Sequence, residues 1–288
     1  MNQGYTSNQG YPTNQPMPPQ YNNQPQYAQD PNYGQYNQPL YSKEQQGGGS
    51  FDFDQMARLG FIRKVFGILS AQLLLSTIFV LGAVVYTSIK KQDKLELFSS
   101  NIILPLYVIC VFAIIITAIL ICCCFRRVFP ANYICLGIFT LAESFILFLI
   151  CASYPPDTVL IALALTTAVT IGLTVYAMIT KTDFTYCGAF LWMFLFSFIV
   201  FGILFFFCFG RLAPKNKSLY IGICCVGVII YSLYLIYDTQ LVMGKCGVEY
   251  SIDDYVFAAL NLYLDIINLF LYILRIVGAA IPHDLPHR

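Results

Sequence analysis

Seven apolar segments, separated by short polar connections, make up most of this chain after residue 50. They lie at about 65–89, 102–125, 132–152, 158–180, 186–209, 218–242 and 256–280. Each is about long enough to cross the hydrocarbon core of a bilayer as an α-helix, which takes about 20 residues. Because the connections are short, successive helices should run antiparallel. The pattern predicts an all-α polytopic membrane protein with seven transmembrane helices.

The last segment differs from the others because polar residues recur along it in steps of four, three, four and three. That spacing places them on one face of a helix. They are Asn261, Asp265, Asn268, Tyr272 and Arg275. A carboxylate at mid-membrane costs roughly 2.5 kcal/mol or more, so the stripe must face protein or water. We therefore expect this helix to lie at the centre of the bundle, with Asp265 as its main functional residue; alternatively, these polar groups only bond neighbouring helices.

The two ends of the chain differ in composition from the apolar middle. Residues 1–50 are rich in Gln, Asn, Pro and Tyr, which predicts a disordered tail. Residues 51–64 carry acidic and basic side chains and suggest an amphipathic segment leading into the first span. The transmembrane domain would then cover residues 65–281, and residues 282–288 would form a short C-terminal tail.

One short motif stands out in the N-terminal tail. Pro18, Pro19 and Tyr21 fit the PPxY pattern that WW domains bind as a preformed polyproline II helix. WW-domain proteins are therefore candidate partners. The alternative is an inert, solvated tail.

Composition and charge narrow the class of protein. Hydrophobic residues make up 58% of the chain and charged residues 11%, and the net charge of +1 offers no basic surface for nucleic acid. The 16 Lys and Arg residues divide evenly between the two faces of the predicted bundle, so the positive-inside rule does not orient it. We place the N-terminus in the cytosol because no cleavable export signal precedes the first span.

Most of the 11 cysteines lie inside apolar segments, where cysteine acts as a small hydrophobe. Their spacing indicates neither a disulfide framework nor a zinc site. Cys122, Cys123 and Cys124 differ, because they lie at a membrane edge beside two arginines. Juxtamembrane cysteines of this kind are candidates for palmitoylation.

Four charged residues belong to the same half of the membrane. Alternating helices bring the end of helix 2, the start of helix 3, the end of helix 6 and the start of helix 7 to one face. Counted from that face at about 1.5 Å per residue, Asp238 and Asp265 differ in depth by roughly one turn. Glu143 lies slightly deeper, and Arg126 lies at the end of helix 2. Asp238 and Asp265 are therefore expected to meet.

Two carboxylates in a low-dielectric site do not both ionise easily, so such a pair would share a proton unless a cation intervenes. Arg126 or a metal ion could be that cation. Asp238 and Asp265, with Asn261 and Asn268, water and carbonyl groups, could form a transient Ca²⁺ site, although Ca²⁺ usually takes six to eight oxygen ligands. No cofactor is expected.

Several separate motifs resemble the transmembrane BAX inhibitor motif family, across about residues 55–280. They are Tyr237-Asp238-Thr239, KTDF at residues 181–184 and LYLDIINLF at residues 262–270. FTLAE at residues 139–143 is similar to the Lifeguard branch, especially its Golgi anti-apoptotic member, whereas the Pro/Gln/Tyr tail is more similar to other Lifeguard members.

The resemblance implies a seven-helix fold with six helices around a central seventh. It also implies a calcium leak across Golgi or endoplasmic reticulum membranes, with calcium as the permeant ion, and restraint of cell death. It implies a pH-sensitive latch formed by Asp238 and Asp265, approached by Arg126 or, as an alternative, Arg127. It also suggests apoptosis regulators or calcium-release channels as partners. Glu143 is absent from the simpler bacterial pattern, which puts a strict two-acid mechanism in doubt.

Other functional classes fit less well. Intramembrane aspartyl proteases also carry Tyr-Asp on helix 6, but the second motif here is Leu262-Tyr263-Leu264-Asp265, without the glycines that admit a substrate backbone. The chain has no Asp-Arg-Tyr after helix 3 and no Asn-Pro-x-x-Tyr, which argues against a seven-helix receptor. A non-conducting adaptor that regulates cell death or trafficking through partner proteins is the main alternative to a channel.

Overall fold

The computed structural model describes residues 49–89, 103–209, 217–244 and 249–281, and within these ranges the regular structure is entirely helical. Seven α-helices follow in chain order: α1 Gly49–Ile89, α2 Ile103–Ile119, α3 Ala131–Ala152, α4 Pro156–Ile179, α5 Gly188–Phe209, α6 Lys217–Met243 and α7 Tyr255–Ala280. A π-helical turn at Leu120–Cys124 continues α2, and 3₁₀ turns at Thr185–Cys187 and Ile252–Asp254 lead into α5 and α7.

The helices have the length and composition of membrane spans. Within the described residues, six helical stretches are long and apolar enough to cross a bilayer, and α5 contributes a shorter apolar stretch, Thr185–Val200. Large apolar side chains such as Phe190, Trp192 and Phe196 are exposed on α5, as expected for a surface in contact with lipid. In hydrocarbon a helix satisfies its own backbone hydrogen bonds, which explains why apolar sequence of this length becomes helix. This is an integral membrane protein.

Proline and glycine mark helix ends here. Pro156 occupies the first turn of α4, where its missing N–H leaves no hydrogen bond unmade. Gly244 follows α6 with φ of 63°, and its N–H donates to the Gln240 carbonyl at 3.0 Å. This left-handed conformation favours glycine and is typical of the residue that ends a helix.

With the π-helical turn counted as part of α2, the predicted helix boundaries hold to within two residues, except at the start of α1. There the amphipathic segment at residues 51–64 and the first apolar segment form one continuous helix that begins at Gly49. Phe61, Val65 and Leu69 recur every four residues and are all buried, so one face of the amphipathic segment already packs into the bundle. This packing explains why the helix has no break at the membrane edge.

The last helix is the centre of the bundle, as its polar stripe predicts. It is the most buried of the six spanning stretches and packs against α6, α4 and α3. The residues buried along it include Val256, Ala259, Tyr263, Ile267 and Leu274. Helix α2 packs against α3, and α5 packs against α6.

Close contact between α6 and α7 depends on Gly227. A Cβ atom added there would lie 2.6 Å from Cδ1 of Tyr272, whose ring is stacked on Tyr231 at a centroid distance of 5.7 Å. Gly227→Ala should therefore destabilise the bundle by about 1–3 kcal/mol, the usual cost of overpacking a core. Thermal unfolding in detergent micelles measures this.

Gly222→Ala is the matched control, because a Cβ atom at Gly222 on the same helix has no neighbour within 4 Å. Equal melting temperatures for the Gly227 and Gly222 variants would show that α6 and α7 do not depend on this contact.

Three predictions fall outside the described residues. They are the disorder of the tail, the WW-domain motif at Pro18, Pro19 and Tyr21, and the C-terminal tail at 282–288. Of residues 1–50, the structure describes only Gly49 and Ser50, which begin α1.

Candidate functional site

The structure brings Asp238 and Asp265 together at the interface of α6 and α7. Their carboxyl groups are in hydrogen-bonding contact with each other. Both side chains are almost completely buried, at 5% and 6% exposure. The arrangement follows from the depth that each residue has along its helix, and from the close α6–α7 packing at Gly227.

A tyrosine from the α6–α7 connection completes the pair. The Tyr250 hydroxyl donates to Oδ1 of Asp238 at 2.9 Å, and it accepts a hydrogen bond from Nδ2 of Asn261 at 2.8 Å. Within the described residues, Oδ2 of Asp265 is buried and receives no hydrogen bond from any N–H or hydroxyl donor. The two acids therefore differ: Asp238 is supported by a donor, and Asp265 is not supported at that oxygen.

Arg58 holds the segment that carries this tyrosine. Its guanidinium donates to the carbonyl oxygens of Tyr250 at 2.6 Å and Leu241 at 2.5 Å, and lies 3.5 Å from the Glu249 carboxylate. The N–H of Tyr250 also donates to the Leu241 carbonyl at 3.3 Å. Helix α1 thus fixes the residue that contacts Asp238.

The contacts of Arg58 with Tyr250, Leu241 and Glu249 form a clamp on the α6–α7 connection, and its loss has a measurable consequence. In Arg58→Gln, the Tyr250 carbonyl and the end of α6 lose their charged donor, so the connection should open more often. We expect amide hydrogen exchange at residues 249–254 to accelerate about tenfold. Arg63→Gln, which alters an exposed arginine on the same helix, should leave exchange unchanged. Equal protection in both variants would contradict the clamp.

Arg126 lies elsewhere than expected. We expected it beside the aspartate pair, but its Nη2 is 2.9 Å from Oδ2 of Asp254, and its guanidinium lies 4.2 Å from the ring centroid of Phe257. Arg127 binds the same carboxylate, with Nε 2.8 Å from Oδ1. Asp254, at the start of α7, attracts both arginines, and this is the physical reason that Arg126 does not extend to Asp238.

The Asp254 contact keeps Arg127 charged. Its hydrogen bond to Asp254 raises the pKa of Arg127 above the usual value. Arg127 therefore stays charged throughout the physiological pH range and is not itself a pH-sensing group.

The two remaining polar candidates are separate from the aspartate pair. Glu143 is half-buried on α3 and acts electrostatically on Tyr263, while accepting no hydrogen bond from the described residues. Asn268 donates to the carbonyl of Leu264 at 2.8 Å on its own helix. The amide of Asn268 thus has a local role in this structure.

A ladder of polar side chains joins α1, α3 and α7 around Tyr263. Ser76 lies 2.8 Å from the Tyr263 hydroxyl and 2.9 Å from the Ser144 hydroxyl, and Gln72 donates to Oγ1 of Thr140 at 3.0 Å. Gln72 and Ser76 are four residues apart, as are Thr140 and Ser144. That four-residue spacing of polar residues on two helices is the sequence signal for this ladder, whose members are not among the predicted site residues.

Gln240 anchors the KTDF motif close to the aspartate pair. Its side-chain nitrogen donates to the Thr182 carbonyl at 2.8 Å, and its side-chain oxygen accepts from the Phe184 N–H at 2.9 Å. Gln240 is 2% exposed and lies two residues after Asp238. The motif therefore has a structural role, which is to fix the α4–α5 connection against α6.

The cysteines predicted at the membrane edge are accessible, and the placement of possible metal ligands is a separate observation. Cys122, Cys123 and Cys124 are exposed on the π-helical turn that continues α2. Their palmitoylation stays a prediction. Among the described residues, no group of three or more His, Cys, Asp or Glu side chains is placed to hold a metal ion. Any Ca²⁺ contact at Asp238 and Asp265 would rely on two carboxylates and other oxygens.

Comparison with known proteins identifies the family. The profile described as "Inhibitor of apoptosis-promoting Bax1" matches residues 58–280, which is most of the chain and every described span. The chain belongs to the Lifeguard family of transmembrane BAX inhibitor motif proteins. It is 37% identical to Protein LIFEGUARD 4 of Arabidopsis thaliana over 230 residues, which cover 77% of this chain and 86% of the relative.

Animal Lifeguard proteins are similar over a comparable length. Identity to Protein lifeguard 3 of Mus musculus is 31% over 250 residues, covering 83% of this chain and 77% of the relative. Identity to Protein lifeguard 3 of Homo sapiens is 33% over 238 residues, covering 81% of this chain and 72% of the relative. The aspartate pair and Tyr250 lie within residues 58–280, the part of this Lifeguard protein that the family profile matches.

Proposed function

We propose that this Lifeguard protein is a pH-sensitive calcium leak channel of Golgi or endoplasmic reticulum membranes, with its N-terminus in the cytosol. A leak would lower the calcium store and so restrain apoptosis, in keeping with the description of the matching family. The observation that carries the proposal is the buried contact between the Asp238 and Asp265 carboxyl groups at the α6–α7 interface.

A shared proton explains how two acids remain in contact in this site. Two carboxylates side by side in a low-dielectric site repel each other strongly, and Arg126 is engaged by Asp254. The donor from Tyr250 stabilises negative charge on Asp238, whereas Oδ2 of Asp265 receives no donor. We therefore assign the proton to Asp265 in the closed state.

Loss of this proton would open the path. It leaves two adjacent anions whose repulsion favours separation of α6 and α7, and the exposed carboxylates would then attract Ca²⁺. Acid restores the proton and closes the site. Tyr250 and Asn261 lie beside Asp238, so they would supply further oxygen ligands during passage of the ion.

The direct test is ion flux with purified protein in liposomes. Vesicles with this protein should release or take up Ca²⁺ down its gradient faster than empty vesicles. Equal flux in the two would reject the channel and favour the non-conducting adaptor, which acts through partner proteins.

The pH dependence has its own test. Asp238→Asn with Asp265→Asn removes both titrating groups while keeping side-chain size, so flux should become nearly constant between about pH 5 and pH 8. Wild-type flux should fall as the pH is lowered. The effects of the two single substitutions on flux should not add up to that of the double variant, because the two carboxyl groups act as one unit.

A double variant that keeps the wild-type pH profile would place the sensor elsewhere. Glu143→Gln is then the next variant, since Glu143 is the remaining acid that the sequence predicts for this half of the membrane.

A further inference from the structure

A second polar site lies at the opposite end of α7 from the aspartate pair. Arg275 follows Asp265 by ten residues, which is about 15 Å along a helix. It lines a cavity of about 510 Å³ formed where α2 begins, α3 ends and the α3–α4 connection starts. The lining residues are Ile103, Leu104, Tyr107, Leu149, Ile150, Ser153, Tyr154 and Arg275.

The cavity contains a cation without a carboxylate partner among the described residues. Arg275 is half-buried, its guanidinium lies 5.2 Å from the ring centroid of Tyr272, and no described Asp or Glu forms an ion pair with it. The guanidinium is always charged and carries five N–H donors, of which its hydrogen bond to the Tyr272 side chain uses only one. A charge at this depth therefore favours an anion close by.

The tyrosine beside this arginine is held firmly in place. The Tyr154 ring packs on Gly278 so closely that an added Cβ atom would lie 2.5 Å from its Cε1. Tyr154 also lies within electrostatic range of Arg275. Tyr107 and Ser153 add hydroxyl groups to the same lining, and the Ser153 hydroxyl donates to the Leu149 carbonyl at 3.3 Å. A guanidinium and tyrosine hydroxyl donors that line one cavity match the oxygens of a phosphate group.

The rest of the lining is apolar and lies at the edge of the membrane domain. Ile103 and Leu104 form the first turn of α2, Leu104 is 68% exposed, and Leu149 and Ile150 lie in the last turn of α3. A free phosphate ion has no apolar group to pack against these side chains, whereas the glycerol backbone and first methylenes of a lipid pack well on them. The cavity thus combines a guanidinium and tyrosine hydroxyl groups with an apolar wall at the start of α2 and the end of α3.

We propose that this cavity binds one anionic phospholipid, with its phosphate on Arg275 and Tyr154 and the start of its acyl chains along Leu104 and Ile150. The single positive charge of the site matches the single negative charge of such a headgroup. The assignment does not depend on calcium conduction.

Native mass spectrometry of the full chain in detergent tests the proposal, with phosphatidylglycerol and phosphatidylcholine of identical acyl chains as probes. Wild-type protein should bind one phosphatidylglycerol with at least about tenfold preference. Arg275→Gln should weaken this binding about tenfold, which corresponds to about 1.4 kcal/mol. Lys217→Gln removes an exposed cation at the start of α6, on the same membrane face but outside the cavity, and should leave binding unchanged.

A second pair of variants decides the outcome even if Arg275→Gln does not fold. Leu104→Trp fills the apolar wall from an exposed position and should also weaken lipid binding, whereas Leu106→Trp, outside the cavity, should not. Equal affinity for the two lipids, or full binding in Leu104→Trp, would overturn the proposal. Displacement of the lipid by millimolar inorganic phosphate would also overturn it and identify free phosphate as the ligand.

Discussion

Asp265→Ala should lower Ca²⁺ flux through the purified protein about tenfold at neutral pH. A decrease of this size corresponds to a barrier to ion passage that is higher by about 1.4 kcal/mol. The substitution removes one of two carboxylates that would meet the ion, and it leaves Asp238 with only the Tyr250 hydroxyl as a partner. The measurement is the rate of Ca²⁺ entry into liposomes loaded with an indicator dye.

The matched control for this experiment is Asn268→Ala, three residues further along α7. Its amide bonds the Leu264 carbonyl of its own helix, so its loss should change flux by less than about twofold. Flux through Asp265→Ala equal to that of the wild type would remove Asp265 from the ion path. A large loss in Asn268→Ala would instead indicate that the whole polar stripe conducts.

Asp254→Asn should cause the largest loss of stability among single substitutions of charged residues in the connections. The side chain of Asp254 is 4% exposed and accepts hydrogen bonds from both Arg126 and Arg127. An asparagine amide has one neutral acceptor oxygen, so it cannot replace the two charged carboxylate oxygens that bind both guanidinium groups. We expect a loss of about 2 kcal/mol at Asp254, below the value for a fully buried pair because the arginines are partly exposed.

Thermal unfolding in detergent micelles measures this loss, and Asp253→Asn is the control. Asp253 is the exposed neighbour, so its substitution should leave the melting temperature within about 1 °C of the wild type. An equal shift in the two variants would show that the carboxylate contributes through general charge rather than through these contacts. High salt should reduce the effect of Asp254→Asn only slightly, since a buried carboxylate is weakly screened.

The two groups of charges near this membrane face have different roles. The ion pair of Asp254 with Arg126 and Arg127 stays charged and ties the start of α7 to the end of α2. Asp238 and Asp265 lie deeper and carry the group that we propose to titrate. A fixed anchor at the start of α7 would let the deeper part of the helix move relative to α6 without loss of the bundle.

The sequence by itself determined which stretches cross the membrane and how deep each charged residue lies. The length of an apolar segment determines whether it crosses the membrane as a helix, because backbone in hydrocarbon must satisfy its own hydrogen bonds. Depth follows from residue count along a straight helix, so the meeting of Asp238 and Asp265 was predictable. The central place of α7 was predictable too, because its polar stripe cannot face lipid.

Only the tertiary structure decided which partners these side chains take. Arg126 could reach either Asp254 or the aspartate pair from the end of α2, and the choice depends on where the α6–α7 connection folds. Tyr250 lies in that connection, and Arg58, 192 residues away in sequence, fixes it there. Apolar periodicity does not encode such contacts, because they depend on side-chain direction and on loops rather than on helix register.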